Sequence, residues 1–334
     1  MYYKVAHRSQ AELDSFTDRY QVFDQTVIPT IFSSVMNLDV IRWEPSTSWG
    51  TSHVVFQVWV RGQSQPLIFR ANLGISSPEG VMVVEQLITQ QVSQLGLATN
   101  HVLVADASRK NWPFDFQIQE KMVGEDPEQI TDWSQSEYDQ LSFDLGAWIA
   151  QIQSLTYDNW GLFDESAAMD KGILVGTANS FDQYVNTSVS DDLSMLVEQK
   201  LITAQTSATI KRLFAESSQL FSGVRGCLVH HDLADHNIMV LNRKFYGAFD
   251  WEAGVIGDPV LDLASSPTWR TFYPREKSLL AGYQSVSQLP ENFQDKYNLL
   301  KLRTMLWKMV LAFRIKIINQ ARIDKFADSL APFH

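Results

Sequence analysis

The chain has 334 residues, 45% of them hydrophobic and 19% charged, which is a globular composition and excludes a disordered chain. Its net charge of −11 argues against nucleic acid or an anionic membrane surface as a partner. The single cysteine excludes an internal disulfide framework, and no run of apolar residues is long enough for a membrane span or a signal peptide, so we expect a cytoplasmic protein.

The first third of the chain has the pattern of a small sheet with one prominent helix. Apolar residues alternate along 54–61, which is the period of a strand. They recur at helical spacing over 77–95, where Ser77 would cap the helix. We therefore predict a β-rich N-terminal lobe over residues 1–122. Its further predicted elements are mixed helix over 10–35 and strands over 40–44, 66–71 and 114–122.

The remainder of the chain is mainly helical in pattern. Helical spacing covers 138–155, pieces of 178–222 and most of 276–330, and a short β segment at 226–249 interrupts the helices. We therefore predict a larger helical lobe over 123–334 and an α+β fold class. These residues include 18 Lys and Arg against 27 Asp and Glu. The excess of negative charge either lies on solvated helix surfaces or creates a field that attracts a cationic substrate.

The β segment contains a predicted hairpin. Two apolar stretches flank a polar turn at 242–244. Pairing Leu241 with Phe245 across the turn brings Ile238 near Ala248. The residues just outside the two strands should then meet at the open end of the hairpin.

Three oxygen-bearing side chains are expected at that open end. Asn237 precedes the first strand, Asp250 follows the second, and Asp232 lies in the loop that leads into the hairpin. Mg²⁺ prefers carboxylate and amide oxygens, and an Asp, a nearby Asn and a second Asp on a hairpin are the layout of kinase-type phosphoryl transfer. We predict that Asp232 accepts the proton of a substrate hydroxyl. Asn237 and Asp250 would hold Mg²⁺ against the phosphates of ATP.

Residues 227–264 resemble the aminoglycoside phosphotransferase family of kinase-like enzymes. That family carries H-G-D-x-x-x-x-N, followed by I-D-W-x-x-A-x-x-G-D-P-x-x-D-L-A. This chain reads HHDLADHN from His230 and FDWEAGVIGDPVLDLA from Phe249, with His231 in place of the glycine. The resemblance implies a protein-kinase-like fold of two lobes, ATP and Mg²⁺ as cofactors, and a small-molecule hydroxyl substrate.

The resemblance also implies roles for residues elsewhere. Arg70 stands where the family has a phosphate-contacting basic residue, and Glu85 on the next helix would be its partner. The loop 46–52 would cover the phosphates, and the hinge 119–122 would meet the adenine through backbone groups. His230 would orient the catalytic loop by hydrogen bonds. The residues assigned to the nucleotide in this way are Ser48, Gly50, Thr51, Arg70, Glu85, Glu120 and Met122.

Two other functions fit some of the same residues. The predicted phosphate loop has one glycine, Gly50, and His231 replaces the family's glycine. Both features would fit a kinase-like fold kept as a binding protein without catalysis. The histidines His230, His231 and His236 beside Asp232 would fit a metal-dependent phosphohydrolase. For a phosphotransferase, the acidic second lobe favours a cationic acceptor, such as an aminoglycoside or another amino alcohol or sugar.

Three further acids of the segment are interpreted as structural. Asp258 comes directly before Pro259, which is the pattern of a helix start with Asp as its cap. Glu252 and Asp262 are expected to support the site without binding a ligand themselves.

Overall fold

The computed structural model describes residues 8–46, 53–73, 79–268 and 275–333. Within them a β-sheet lobe is followed by a helical lobe, which confirms the predicted α+β class. The strands are β1 (Val40–Pro45), β2 (His53–Val60), β3 (Leu67–Asn72), β4 (Ala98–Thr99), β5 (Val102–Asp106), β6 (Phe116–Glu120), β7 (Thr156–Tyr157), β8 (Trp160–Phe163), β9 (Gly176–Ala178), β10 (Gly226–Val229), β11 (Ile238–Leu241), β12 (Lys244–Ala248) and β13 (Val255–Gly257). The helices are α1 (Gln10–Ser15), α2 (Arg19–Val22), α3 (Ile28–Met36), α4 (Val81–Gln94), α5 (Gln135–Ile152), α6 (Glu165–Lys171), α7 (Phe181–Asn186), α8 (Val189–Glu198), α9 (Ala204–Ala215), α10 (Val260–Ser265), α11 (Glu276–Gln284), α12 (Phe293–Arg314) and α13 (Gln320–Leu330).

The N-terminal sheet is antiparallel, with its strands in the order β1-β2-β3-β6-β5. The alternation read along the second strand is confirmed, because Val54, Phe56, Val58 and Val60 are all buried. They form one core with the neighbouring strands and with α3. Burial of this single face fixes the register of β2 against β3, since a slip of one residue would expose all four side chains.

Helix α4 joins the sheet to the helical lobe. It was predicted over 77–95 and runs from Val81 to Gln94, while the predicted cap Ser77 lies outside the described residues. Its buried side chains do not join the core of the N-terminal sheet. Val84, Ile88 and Val92 pack instead in a core that includes residues of α5 and of the β11–β12 hairpin. The apolar side of the helix that carries Glu85 thus packs on the helical lobe.

The helical lobe is built around α12, whose residues supply much of the largest apolar core. Two fully buried ion pairs tie this helix to its surroundings. Arg303 lies 3.1 Å from Asp192, and the Lys296 ammonium lies 2.6 Å from Asp258. Asp258 also accepts a hydrogen bond of 2.9 Å from the backbone N–H of Val260 at the start of α10, which agrees with its structural interpretation. Across the described part of the chain, no helix is both long and apolar enough to cross a membrane.

The hairpin β11–β12 departs from prediction at its turn but not at its open end. The turn has two residues, Asn242 and Arg243, both in the left-handed region, so Leu241 pairs with Lys244 and the predicted pairing with Phe245 is wrong. A bulge between Met239 and Val240 absorbs the shift of one residue. At the open end, Ile238 therefore lies opposite Ala248 as predicted.

Candidate active site

Asp232 and Asn237 are in direct contact within the loop that leads into the hairpin. The Asn237 side chain donates from Nδ2 to the backbone carbonyl of Asp232 at 2.8 Å and to its carboxylate at 3.2 Å. The carbonyl of Asn237 accepts from the backbone N–H of Phe249 at 3.0 Å, next to Asp250. With Nδ2 held by Asp232, the Asn237 side chain presents its oxygen as the end that can bind a cation.

Asp262 fixes the start of the loop from the other side. This residue lies on α10, and its carboxylate accepts from the backbone N–H groups of His230 at 2.9 Å and His231 at 2.7 Å. It is fully buried, and burial raises its pKa to about 7 against the opposing effect of those two hydrogen bonds. One carboxylate thereby sets the position of the two residues that precede Asp232.

We predict that Asp262→Asn lowers kcat by about 10²-fold with little change in the KM for ATP. The amide offers one oxygen to two N–H donors, so one of them faces a side-chain NH₂ group and the loop shifts. Steady-state kinetics of the variant check this, with the stability gained from Mg·ATP as the control for folding. An unchanged kcat, or a loss confined to ATP affinity, would contradict the positioning role.

His230 connects the loop to the segment that carries Asp250. Its ring lies 4.4 Å from the ring of Trp251, and Nε2 forms a hydrogen bond of 3.0 Å with the carbonyl of Phe249. Burial lowers the pKa of His230 to about 4, so the ring is neutral at physiological pH. These contacts fit the orienting role expected for His230.

His231 occupies the position of the family's glycine and has a left-handed backbone, with φ of 65°. Glycine adopts this conformation without steric cost, whereas a side chain makes it unfavourable. The His231 ring is buried and packs edge-on against Trp307, with 5.4 Å between ring centroids. His231 therefore adopts a backbone conformation that glycine favours, and its ring adds a contact with α12.

We predict that the buried His231 makes the protein less stable in mild acid. Burial, with smaller effects from neighbouring positive charges, holds the pKa of His231 well below its unfolded value. The unfolded chain therefore binds a proton first as the pH falls, and stability is lost below about pH 6.5. Between about pH 7.5 and about pH 5.5, the unfolding free energy of the wild type should fall by about 1.4 kcal/mol more than that of His231→Gly. Denaturant titrations at both pH values measure this, and equal pH dependences would contradict it.

Arg70 links the sheet lobe to the helical lobe. Its guanidinium lies 3.1 Å from the Glu85 carboxylate, which is the contact expected from the sequence. It also lies 3.1 Å from Asp250 and 3.7 Å from Glu252, both in the segment after the hairpin. The side chain of Arg70 is buried among three acids, so its positive charge lies where the two lobes meet.

Glu85 sits in a buried polar network that the sequence did not reveal. Besides Arg70, its carboxylate accepts from Asn100 at 3.2 Å, from Gln117 at 3.1 Å and from the backbone N–H of Trp251 at 3.4 Å. Gln117 and Gln119 occupy alternate positions of β6 and are both buried. In the sequence, two glutamines at alternate positions of one predicted strand were the pattern that could have indicated such a network.

Asp250 has an unusual backbone and an acidic neighbour. Its φ of 66° and ψ of 68° are left-handed, which is unfavourable for a residue with a side chain and is typical of functional sites. Burial and the charge of Glu252 raise the pKa of Asp250, and Arg70 opposes that shift. Glu252 itself forms a hydrogen bond with His53 at the start of β2. The contact between Glu252 and His53 thus links the start of β2 to the segment that carries Asp250.

The remaining residues assigned to the nucleotide are less defined. Ser48, Gly50 and Thr51 lie outside the described residues. The backbone N–H of Glu120 donates to the carbonyl of His101 at 2.9 Å, so this N–H is already hydrogen-bonded within the protein. The Glu120 side chain is exposed. The Met122 side chain packs against Gly247 of β12. A Cβ atom added to Gly247 would lie 2.7 Å from the terminal methyl group of Met122.

The donor set at the hairpin suits a hard cation. Asn237 offers an amide oxygen and Asp250 a partly exposed carboxylate, which are ligands typical of Mg²⁺. No group of three or more His, Cys, Asp or Glu side chains in the described ranges is arranged to hold a metal ion. His230 and His231 pack against tryptophans.

The two-lobed α+β fold with this arrangement is that of a kinase-like phosphotransferase. The chain belongs to the phosphotransferase enzyme family, whose sequence model matches residues 48–293. This confirms the resemblance drawn from the stretch after Cys227. No protein with curated annotation matches the chain in sequence.

Solved structures of this family share the fold at low sequence identity. An apo aminoglycoside phosphotransferase APH(4)-Ia, a thermostable mutant, is 15% identical with a TM-score of 0.64, covering 91% of this chain and 99% of that one. A Thermobifida fusca protein named for an expected fructosamine-3-kinase activity is 14% identical with a TM-score of 0.65, covering 91% and 98%. The streptomycin–ATP–APH(2″)-IIa ternary complex is 17% identical with a TM-score of 0.58, covering 92% and 96%. These similarities confirm the kinase-like fold.

Proposed function

We propose that the protein transfers the γ-phosphoryl group of ATP to a hydroxyl group of a small molecule, in a reaction that depends on Mg²⁺. The observation that supports this most directly is the meeting of Asp232, Asn237 and Asp250 at the open end of one hairpin. Arg70 reaches the same place from the sheet lobe. Membership of the phosphotransferase family and the ATP named in one related structure support the same reaction.

In the proposed reaction, the acceptor oxygen bonds to the γ-phosphorus while the bond from that phosphorus to the β,γ-bridging oxygen breaks. ADP leaves with the electron pair, and Asp232 takes the proton of the acceptor hydroxyl. The hydrogen bond from Asn237 holds the Asp232 carboxylate in place for this step. Asp262 and His230 position the loop on which Asp232 stands.

The same proposal assigns the nucleotide to the cleft beside Arg70. Arg70, positioned by Glu85, would bind phosphate oxygens through its planar fork. Asn237 and Asp250 would hold Mg²⁺, which neutralises phosphate charge when bound. Ser48, Gly50 and Thr51 would cover the phosphates. Because the backbone N–H of Glu120 is occupied by His101, the Glu120 carbonyl and backbone groups of Met122 would bind the adenine.

We propose different roles for the N-terminal and C-terminal regions of the chain. Residues 1–122 would form the nucleotide-binding lobe, and residues 123–334 would supply the catalytic loop and the acceptor site. Helix α4 belongs to the first region by sequence and packs with the second, so it would transmit the position of Glu85 between them. We further propose a cytoplasmic location, where ATP is available.

Thermal stability with ATP alone, Mg²⁺ alone and both together tests the nucleotide site. A ligand present at about 100 times its Kd adds about 2.7 kcal/mol of stability. We expect the full increase only when ATP and Mg²⁺ are both present. No increase with the pair, together with a clear increase with Mn²⁺ or Zn²⁺ alone, would contradict the proposal and favour a metal-dependent hydrolase.

A further inference from the structure

The carboxylate of Glu85 fixes the orientation of two neighbouring side-chain amides. A carboxylate accepts hydrogen bonds and donates none. The groups of Asn100 and Gln117 that lie 3.2 and 3.1 Å from it are therefore their NH₂ groups. Each NH₂ group has a second N–H, and the direction of this second donor is fixed together with the first.

Gln119 accepts both of these second donors. Its side-chain oxygen Oε1 lies 2.7 Å from Asn100 Nδ2 and 3.1 Å from Gln117 Nε2. An amide oxygen has two lone pairs, so the two hydrogen bonds use its capacity to accept. The opposite orientation would place the Gln119 NH₂ group against two other NH₂ groups. The network that begins at Glu85 thus turns the NH₂ group of Gln119 away from itself.

The NH₂ group of Gln119 is a donor without an acceptor. Within the part of the chain that the structure describes, it has no hydrogen-bond partner, and it is not among the fully buried polar atoms that lack one. Gln119 as a whole retains 7% exposure. The side chain can therefore donate to a ligand but cannot accept from one.

Gln119 lies between the proposed phosphate site and the proposed site of the base. Arg70 of β3 lies opposite Gln117 of β6. Two positions earlier in β3, Ile68 lies opposite Gln119. Alternate residues of a strand face the same side of the sheet, so these four side chains share one face. A nucleotide whose phosphates reach Arg70, and whose base is held by the backbone that follows Gln119, would lie against the Gln119 side chain.

Purine bases differ in the group that they present to such a donor. A glutamine that recognises adenine uses both ends of its amide, because adenine has an amino group at carbon 6 and an acceptor at N7. The oxygen of Gln119 is already bonded to Asn100 and Gln117. Guanine has two acceptors on the same edge, the oxygen at carbon 6 and N7. A side chain that can only donate therefore matches guanine, whereas the amino group of adenine would face a second donor.

We propose that the preferred phosphoryl donor is a purine nucleotide with an oxygen at carbon 6, and that the NH₂ group of Gln119 donates to this oxygen. GTP would then bind more tightly than ATP, the nucleotide that the family resemblance implies. This inference rests on the proposed function. The transfer step is unchanged, with GDP leaving in place of ADP.

Four nucleotides separate the group at carbon 6 from the group at carbon 2. GTP and ITP have an oxygen at carbon 6, with and without an amino group at carbon 2. 2-Amino-ATP and ATP have an amino group at carbon 6, again with and without the one at carbon 2. Thermal stability titrated with each nucleotide in excess Mg²⁺ gives the four affinities. We expect GTP and ITP to bind at least about tenfold more tightly than 2-amino-ATP and ATP.

Two variants connect that preference to Gln119. Gln119→Met removes the donor and should weaken binding of GTP and ITP by about tenfold, with a smaller change for ATP. The affinity for ATP thereby reports any general damage to the site. Gln57→Met is the matched control and should leave the preference unchanged. Gln57 lies opposite Ile68 on the other side of β3, and its oxygen accepts from Lys121 at 3.2 Å.

The outcomes separate this inference from the proposed function. If the wild type binds ATP as tightly as GTP and ITP, the preference is wrong and the phosphotransferase proposal stands. Tight binding of GTP with weak binding of ITP would assign the preference to the amino group at carbon 2 and overturn the role of Gln119. An unchanged ratio of GTP to ATP affinity in Gln119→Met would overturn it as well. If none of the four nucleotides stabilises the protein, the proposed function fails first.

Discussion

Asp232→Asn is expected to reduce turnover by roughly 10²–10⁴-fold while Mg·ATP still binds. The amide keeps an oxygen that can accept the hydrogen bond from Asn237, so the loop retains its shape. It cannot take the proton of the acceptor hydroxyl at neutral pH, so the attacking oxygen must lose its proton without help. The comparison requires kcat with a productive acceptor and the stability gained from Mg·ATP, each measured for wild type and variant.

Asp235→Asn is the matched control for that prediction. Asp235 lies three residues further along the same loop and contacts His236 at 3.8 Å. It should retain most of the turnover, because no step of the proposed reaction requires its carboxylate. Wild-type kcat in Asp232→Asn would rule out Asp232 as the base. Equal losses in both variants would indicate general damage to the loop.

Asp250→Asn is expected to weaken binding of Mg·ATP by about 10- to 100-fold and to raise the Mg²⁺ concentration needed for activity. The substitution removes a charged oxygen ligand of the proposed cation and weakens the contact with Arg70 at 3.1 Å. Titration of the protein with Mg·ATP, and activity against Mg²⁺ concentration, measure the two effects separately.

Glu252→Gln controls for the loss of one negative charge from the same cluster. Glu252 contacts Arg70 and His53, so its removal should disturb the contact between the lobes with a smaller effect on the Mg²⁺ requirement. If Asp250→Asn binds Mg·ATP as tightly as the wild type, Asp250 is not a ligand. If both variants show the same Mg²⁺ requirement, that requirement reports the total charge and not a specific ligand.

Elements whose signal is local were predictable from the sequence. The alternating apolar residues of β2 gave a strand with the correct buried face, because period and burial are properties of neighbouring residues. The pairing at the open end of the hairpin was also predictable, and it placed Asn237 and Asp250 together. The bulge that leaves Tyr246 of β12 unpaired was not predictable, because the apolar pattern does not record which residue of a strand is left unpaired.

Contacts between residues far apart in the chain were largely not predictable from the sequence. The approach of Arg70 to Glu85 was expected only from the family resemblance. Their further contacts with Asp250 and Asn100 depend on how α4 and β12 pack, which no local period encodes. No pattern in the sequence indicated that His53 contacts Glu252.

The decisive measurement for the proposed activity is phosphoryl transfer from ATP labelled in its γ-phosphate, with and without Mg²⁺, over a panel of small-molecule alcohols. We expect the label to appear in a phosphate monoester of an acceptor, transfer to require Mg²⁺, and Asp232→Asn to abolish most of it. Binding of Mg·ATP without transfer to any alcohol or to water would identify a binding protein on a kinase-like fold. Release of phosphate from monoesters with Mn²⁺ and without ATP would rule out the proposed kinase activity and identify a hydrolase.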